Sequence, residues 1–131
     1  MRIRKRFRFE SSHVLPHHTG KCARLHGHSY RLEVTVRGAL HEGGSESGMV
    51  MDFSELDAIV SSEVVEPLDH RHLNDVVENP TCERILLWIA AALAPRLPGL
   101  DELVLWETAS SCAILRADEL ATVSGGLTSQ P

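Results

Sequence analysis

The chain has 131 residues, 43% hydrophobic and 24% charged, with a formal net charge of −5. That composition suits one soluble domain with a real core and argues against a protein that coats nucleic acid. No run approaches the roughly 18 apolar residues of a membrane span, no apolar stretch makes the basic start a signal peptide, and three widely spaced cysteines, Cys22, Cys82 and Cys112, argue against a disulfide framework and for a reducing, cytoplasmic setting.

In chain order, Ile3 to His13 predicts a strand, with Arg2, Arg4, Arg6 and Arg8 on one side and Ile3, Phe7, Phe9, Ser11 and His13 on the other. The arginines read as a solvated strand face, with attraction of an anionic substrate as the sharper alternative. Val14 to Leu25, with Pro16, His17-His18, Gly20 and Cys22, predicts a loop. His28 to Gly38 alternates cleanly as a second strand, and a hairpin between the two would bring His13 beside His26 and His28. Gly- and Ser-rich Ala39 to Gly48 predicts an exposed loop. Asp52 with Glu55 has capping-box spacing; Phe53, Leu56, Ile59, Val60 and Val64 follow at helical spacing, and Pro67 marks that helix's end.

Leu68 to Asn74 predicts a short irregular turn. A second helix is expected from Asn79-Pro80-Thr81, with Ile85, Leu86, Ile89, Ala92 and Leu93 as its buried stripe. Glu102 to Thr108 and Ser111 to Arg116 are two further strands around the tight turn Ala109-Ser110. The order ββααββ predicts an α+β domain over residues 1–120: a four-stranded antiparallel sheet with two helices on one face, followed by a flexible tail over 121–131. The uncovered face, carrying Val104 and Trp106, looks too apolar for water, so an oligomer is expected.

The chemistry gathers on few residues. His13, His26 and His28 at converging strand ends match a metal site of three neutral imidazoles with an open fourth position. Cys22 reads as a fourth ligand that would close the site, or as a base or nucleophile whose thiolate is favoured near a cation. Asp69-His70 is a candidate orienting pair, a carboxylate fixing an imidazole as a proton carrier. Glu107, an acid in the apolar run after Trp106, either faces solvent or accepts hydrogen bonds from a ligand. Cys82 and Cys112 read as ordinary buried thiols.

These residues resemble the 6-pyruvoyl-tetrahydropterin synthase family, most closely its bacterial 6-carboxytetrahydropterin synthase branch in queuosine biosynthesis. The landmarks are Phe9-Glu-Ser-Ser-His13, Cys22-Ala-Arg-Leu-His26-Gly-His28, Gly48-Met-Val-Met-Asp52-Phe53, Leu68-Asp69-His70-Arg-His-Leu73-Asn74, Asn79-Pro80-Thr81-Cys82-Glu83 and Trp106-Glu107-Thr108. The resemblance implies a tunnelling fold and a homohexamer of two trimers, with active sites at subunit interfaces. It also implies one zinc ion per subunit on His13, His26 and His28; Cys22 as the catalytic cysteine; and Asp69 and His70 as the rest of a proton-transfer triad, supplied by a neighbouring subunit. Glu107 is implied as the pterin anchor, with Thr81 and Glu83 nearby. Cys82 stands where relatives often carry Ser or Thr. The implied reaction is that of a zinc-dependent carbon–oxygen lyase converting 7,8-dihydroneopterin triphosphate to 6-carboxy-5,6,7,8-tetrahydropterin, acetaldehyde and triphosphate, with Lys21, Arg24 or the N-terminal arginines meeting the triphosphate. The rivals are the pyruvoyl-type synthase, which eliminates triphosphate only, a non-catalytic zinc-stabilised binding module, and a generic zinc hydrolase, which would want a carboxylate base near the metal.

Overall fold

The structure, a computed structural model, describes residues 1–121; the tail expected over 121–131 lies, Ala121 apart, outside them. Strand alternation sets the architecture. β1 (Arg2–His13) and β2 (His26–Arg37) pair antiparallel along their whole lengths, from Arg2 opposite Arg37 to His13 opposite His26. Phe7, Phe9, Ser11 and His13 are buried on the same face as Tyr30, Leu32, Val34 and Val36. Arg2, Arg4, Arg6 and Arg8 alternate with them and are exposed.

α1 (Phe53–Val60) is capped at Asp52, whose carboxylate accepts from Ser54 N, and it buries Leu56, Ile59 and Val60. The capping box does not close, because Glu55 turns to Glu46, a carboxyl contact that raises its pKa. Nor does the helix end before Pro67. It widens into a π-helical segment (Ser61–Val65) and continues as the short α2 (Glu66–Leu68), with Pro67 in its first turn. The wide turn accommodates a residue that has no N–H to give the preceding carbonyls. α3 (Cys82–Leu93) starts at Thr81, whose hydroxyl accepts from Arg84 N, and it buries Ile85, Leu86, Ile89 and Leu93. Both helix stripes pack with Phe9, Tyr30, Leu32, Leu103 and Leu105 in one core. Each fully buried aliphatic side chain there contributes about 1.5–3 kcal/mol.

β4 (Leu100–Thr108) pairs with β2, and β5 (Ser111–Arg116) with β4, around a turn at 109–110. The four antiparallel strands and the two covering helices agree with the sequence reading. The sheet has a fifth member: Arg71–His72, inside the segment expected to be an irregular turn, forms β3, parallel to β1 at Ser11 and Ser12. The order is β3-β1-β2-β4-β5.

The helix-free face also differs from expectation. It carries a lattice of charge beside its apolar residues, of which Ile114, paired with Val104, is exposed. Arg4 and Arg6 meet Glu33, Arg4 and Arg116 meet Glu102, and Arg2 meets Asp101. Trp106 donates its indole N–H to Glu33 at 2.7 Å, and Val104 is buried. Among the described residues no helix is long and apolar enough to cross a membrane.

Candidate active site

The sheet register makes the imidazole half of the site. His13 and His26 are directly paired, and His28 lies opposite Ser11, so all three imidazoles leave the same face at one end of the hairpin. Gly27 permits this. A Cβ there would sit 3.3 Å from the Ser11 carbonyl oxygen, a contact tight enough that the β1 backbone beside the histidines would have to give by a few tenths of an ångström.

The hydrogen bonds then fix the tautomers. His13 Nδ1 lies 2.8 Å from the Pro80 carbonyl oxygen and His26 Nδ1 2.7 Å from that of Arg24. A carbonyl only accepts, so each Nδ1 carries the hydrogen and each Nε2 presents a lone pair. Those two Nε2 atoms face each other at 2.9 Å, an arrangement that suits a shared cation rather than two neutral acceptors. His28 Nε2 is buried with no hydrogen-bond partner. The ligand atoms of the three rings all lie within 4.8 Å of one another. Burial lowers the pKa of His13 and His28, with the neighbouring imidazoles adding to the effect and Glu107 opposing it. Neutral, convergent, orphaned nitrogens backed by carbonyls are what a metal ion needs, so the residues fit the ion that the sequence implies.

Cys22 sits on a single 3-10 turn (Lys21–Ala23), half-buried, its backbone carbonyl accepting from Leu15 N at 3.0 Å. Its sulfur is not part of the imidazole group. Among the described residues the group has three ligand atoms, one fewer than a closed four-coordinate site.

Asp69 follows α2 and is held by the Glu10 backbone, whose N–H donates to Asp69 Oδ1 at 2.8 Å. This bond, reinforced by His70, keeps the carboxyl below its usual range. Asp69 Oδ2 meets His70 Nδ1 at 3.0 Å. His70 has φ 56°, the left-handed region, and its own N–H donates to the Glu10 carbonyl. Its side chain is 80% exposed. Both residues are thus clamped to β1, while the imidazole is presented outward. It opens into a polar cleft of about 590 Å³ with Glu10, Ser12, Ser29, Arg71 and His72.

Glu107 occupies a register irregularity of β4 against β5, between Trp106 and Thr108. Such bulges re-aim side chains beside functional sites. It lines a second cleft of about 400 Å³ with His28, Arg31 and Trp106. Thr81 is the cap of α3, adjacent to the Pro80 carbonyl that orients His13, and Glu83 is exposed in that helix's first turn. Cys82 donates its thiol to the Leu105 carbonyl at 3.4 Å, and burial pushes its pKa up to about 12. Cys82 is therefore a protonated packing residue, whereas Cys112, expected to be buried, is exposed on β5.

The carbonyls of Pro80 and Arg24 and the bulge at Glu107 carry no sequence signature of their own. Gly27 has one, as the lone glycine between two histidines. Tyr30 is legible as a core residue, but its place beneath the site, stacked on Phe9 and edge-on to His13 and His28, is not.

Residues 2–118 match the family model described as 6-pyruvoyl tetrahydropterin synthase. The chain belongs to the 6-pyruvoyl tetrahydropterin synthase family. Within that family it is 50% identical over 115 residues to a 6-carboxy-5,6,7,8-tetrahydropterin synthase of Synechocystis, covering 85% of this chain and 89% of the relative. It is 42% identical over 109 residues to a dihydroneopterin monophosphate aldolase of Pyrococcus furiosus, covering 81% and 89%. Among solved structures, the 6-pyruvoyl tetrahydropterin synthase of Caenorhabditis elegans superposes with a TM-score of 0.77 at 24% identity, covering 89% of this chain and 95% of that one. The fold is thus the tunnelling fold of this family.

Proposed function

We propose that the chain is a zinc-dependent 6-carboxytetrahydropterin synthase, a cytoplasmic carbon–oxygen lyase of queuosine biosynthesis. It takes 7,8-dihydroneopterin triphosphate, with uptake of water, to 6-carboxy-5,6,7,8-tetrahydropterin, acetaldehyde and triphosphate. The observation that carries this is the open imidazole trio with a half-buried thiol on the adjoining loop and outside the trio. The relative at 50% identity that bears this name supports it.

His13, His26 and His28 would hold the zinc, which when bound supplies a Lewis acid that makes a neighbouring C–H more acidic. Cys22, as thiolate, removes a side-chain proton. His70 returns or carries protons from Nε2, because Asp69 holds the hydrogen on Nδ1. Glu107 accepts hydrogen bonds from the pterin amino and ring N–H groups and fixes the ring. Thr81, whose hydroxyl hydrogen is left over from capping, and Glu83 flank that anchor. The exposure of His70 supports a site shared between subunits, with Asp69 and His70 completing a neighbour's cleft in a homohexamer of two trimers. Residues 1–120 then act as one catalytic domain.

The Pyrococcus furiosus relative favours a second reading within the same scaffold, an aldolase acting on a dihydroneopterin phosphate. One experiment separates the readings: incubation of wild type and Cys22→Ala with dihydroneopterin triphosphate, with and without chelator, read by product mass, acetaldehyde assay and metal analysis. The expected outcome is acetaldehyde and the 6-carboxy product from wild type alone, abolished by chelator, with Cys22→Ala retaining its zinc. Zinc lost together with activity in Cys22→Ala would make Cys22 a ligand. A product retaining all three side-chain carbons would make the chain a pyruvoyl-type synthase, and a two-carbon aldehyde still carrying the phosphate chain (glycolaldehyde triphosphate), released beside 6-hydroxymethyl-7,8-dihydropterin, would make it an aldolase.

A further inference from the structure

We infer that Arg71 is the residue that grips the substrate's phosphate chain, a positioning role that rests on the pterin-phosphate reading above. Three observations converge on it. The N-terminal arginines are already engaged: Arg2 with Asp101, Arg4 and Arg6 with Glu33, and Arg8 with Glu10. Each already has a carboxylate partner on the sheet. Arg71, by contrast, is exposed and has no ion-pair or hydrogen-bond partner for its guanidinium among the described residues. It also stands in the larger cleft beside hydroxyl and imidazole donors: Ser29, Ser12 and His72, the last two bonded to each other at 3.0 Å. One carboxylate, Glu10, lines the same cleft, and Arg8 offsets it.

Sequence adjacency supplies the rest. β3 carries Arg71 and His72 immediately after His70, and pairing with Ser11 and Ser12 fixes the backbone of both. In the substrate the phosphate ester is on the same three-carbon side chain whose protons His70 handles. Whichever subunit's ligand His70 serves, Arg71 therefore reaches the same one within a few bonds. A guanidinium matches phosphate oxygens in bidentate geometry, so Arg71 selects for the charged end of the substrate and places the carbon chain against His70.

The test compares Arg71→Ala, Arg71→Lys and the double variant Lys21→Ala/Arg24→Ala. In Arg71→Ala the KM for dihydroneopterin triphosphate should rise about ten- to a hundred-fold, while the inhibition constant of unphosphorylated dihydroneopterin changes less than about two-fold and kcat falls less than KM rises. Arg71→Lys should recover part of the loss. Equal weakening of both ligands, or a phosphate-dependent loss confined to the Lys21/Arg24 double variant, overturns the assignment. Calorimetric binding of inorganic triphosphate to the zinc-loaded proteins separates this from the reaction itself. If wild type binds triphosphate, Arg71→Ala does not, and no turnover is seen, the reaction assignment fails and the phosphate site stands; if both bind triphosphate equally, the phosphate site fails.

Discussion

At the scale of single residues, the chemistry depends on which nitrogen carries a hydrogen. The Asp69-His70 pair shows this most directly. Asp69 accepts from the Glu10 backbone with one oxygen and from His70 Nδ1 with the other. An asparagine in its place keeps the backbone bond through its carbonyl oxygen, but its amide then points two hydrogens at His70 Nδ1. The neutral ring must answer with the opposite tautomer, hydrogen on Nε2 and lone pair on Nδ1, so the outward nitrogen can no longer accept a proton. Asp69→Asn should therefore lower kcat by about a hundred-fold or more while shifting the urea midpoint little. Both are read on the same preparation. A variant with near wild-type kcat would remove Asp69 from proton transfer, and one that unfolds early would make its role the anchoring of β3.

At the scale of elements, the hairpin of β1 and β2 is the instrument that turns sequence into a site. Its register was legible from alternation: Phe7, Phe9 and His13 on one face, with Tyr30 and His28 on the matching face of the partner. The helices were legible too, since Leu56 and Ile59, and Ile85 and Ile89, recur at helical spacing. What escaped was set by contacts distant in sequence. Two residues of β3 have too little pattern to announce a strand, and they exist as one because Ser11 and Ser12 offer an edge. Pro67 signals a stop, but packing of Val64 and Leu68 carries the helix through it by way of the π turn. The charge on the helix-free face is not visible in the alternation of β4 alone, because it comes from pairs between strands, such as the bond of Trp106 to Glu33 beside the buried Val104.

Gly27 is where the hairpin and the site meet. A methyl group there would approach the Ser11 carbonyl oxygen at 3.3 Å, and the β1 backbone beside the histidines would have to give by a few tenths of an ångström. Gly27→Ala should weaken metal affinity about ten- to a hundred-fold, measured by competition with a chromogenic chelator, with the far end of the sheet intact by hydrogen exchange. Unchanged affinity would show that the ladder absorbs the extra carbon without disturbing the imidazoles.

At the scale of the whole molecule, the imidazole cluster is a local weakness of the fold that a bound cation would remove. Three basic rings are gathered at the end of a packed sheet, and His13 is fully buried. Burial lowers the folded-state pKa of His13 and His28 from the ordinary 6.5. The sign follows from proton uptake: the unfolded chain takes up protons near pH 6.5 while the folded chain resists until lower pH. The contribution to stability is therefore fully present above pH 6.5 and lost as the pH falls below it. A metal ion that binds only the folded, neutral rings adds to this, by about 4 kcal/mol when it is present at a thousand times its dissociation constant. For a domain of this size that raises the thermal midpoint on the order of 10 °C. The chelator-stripped protein should therefore melt at a steady temperature above pH 6.5 and progressively lower below it. Added zinc should raise the midpoint at pH 7.5, where the folded imidazoles are neutral, and the rise should shrink only once the pH is low enough for the folded chain itself to take up protons, because the metal must then displace them. Replacing His26 with Ala should abolish the zinc-dependent part. A zinc shift that survives in His26→Ala would place the ion elsewhere in the chain.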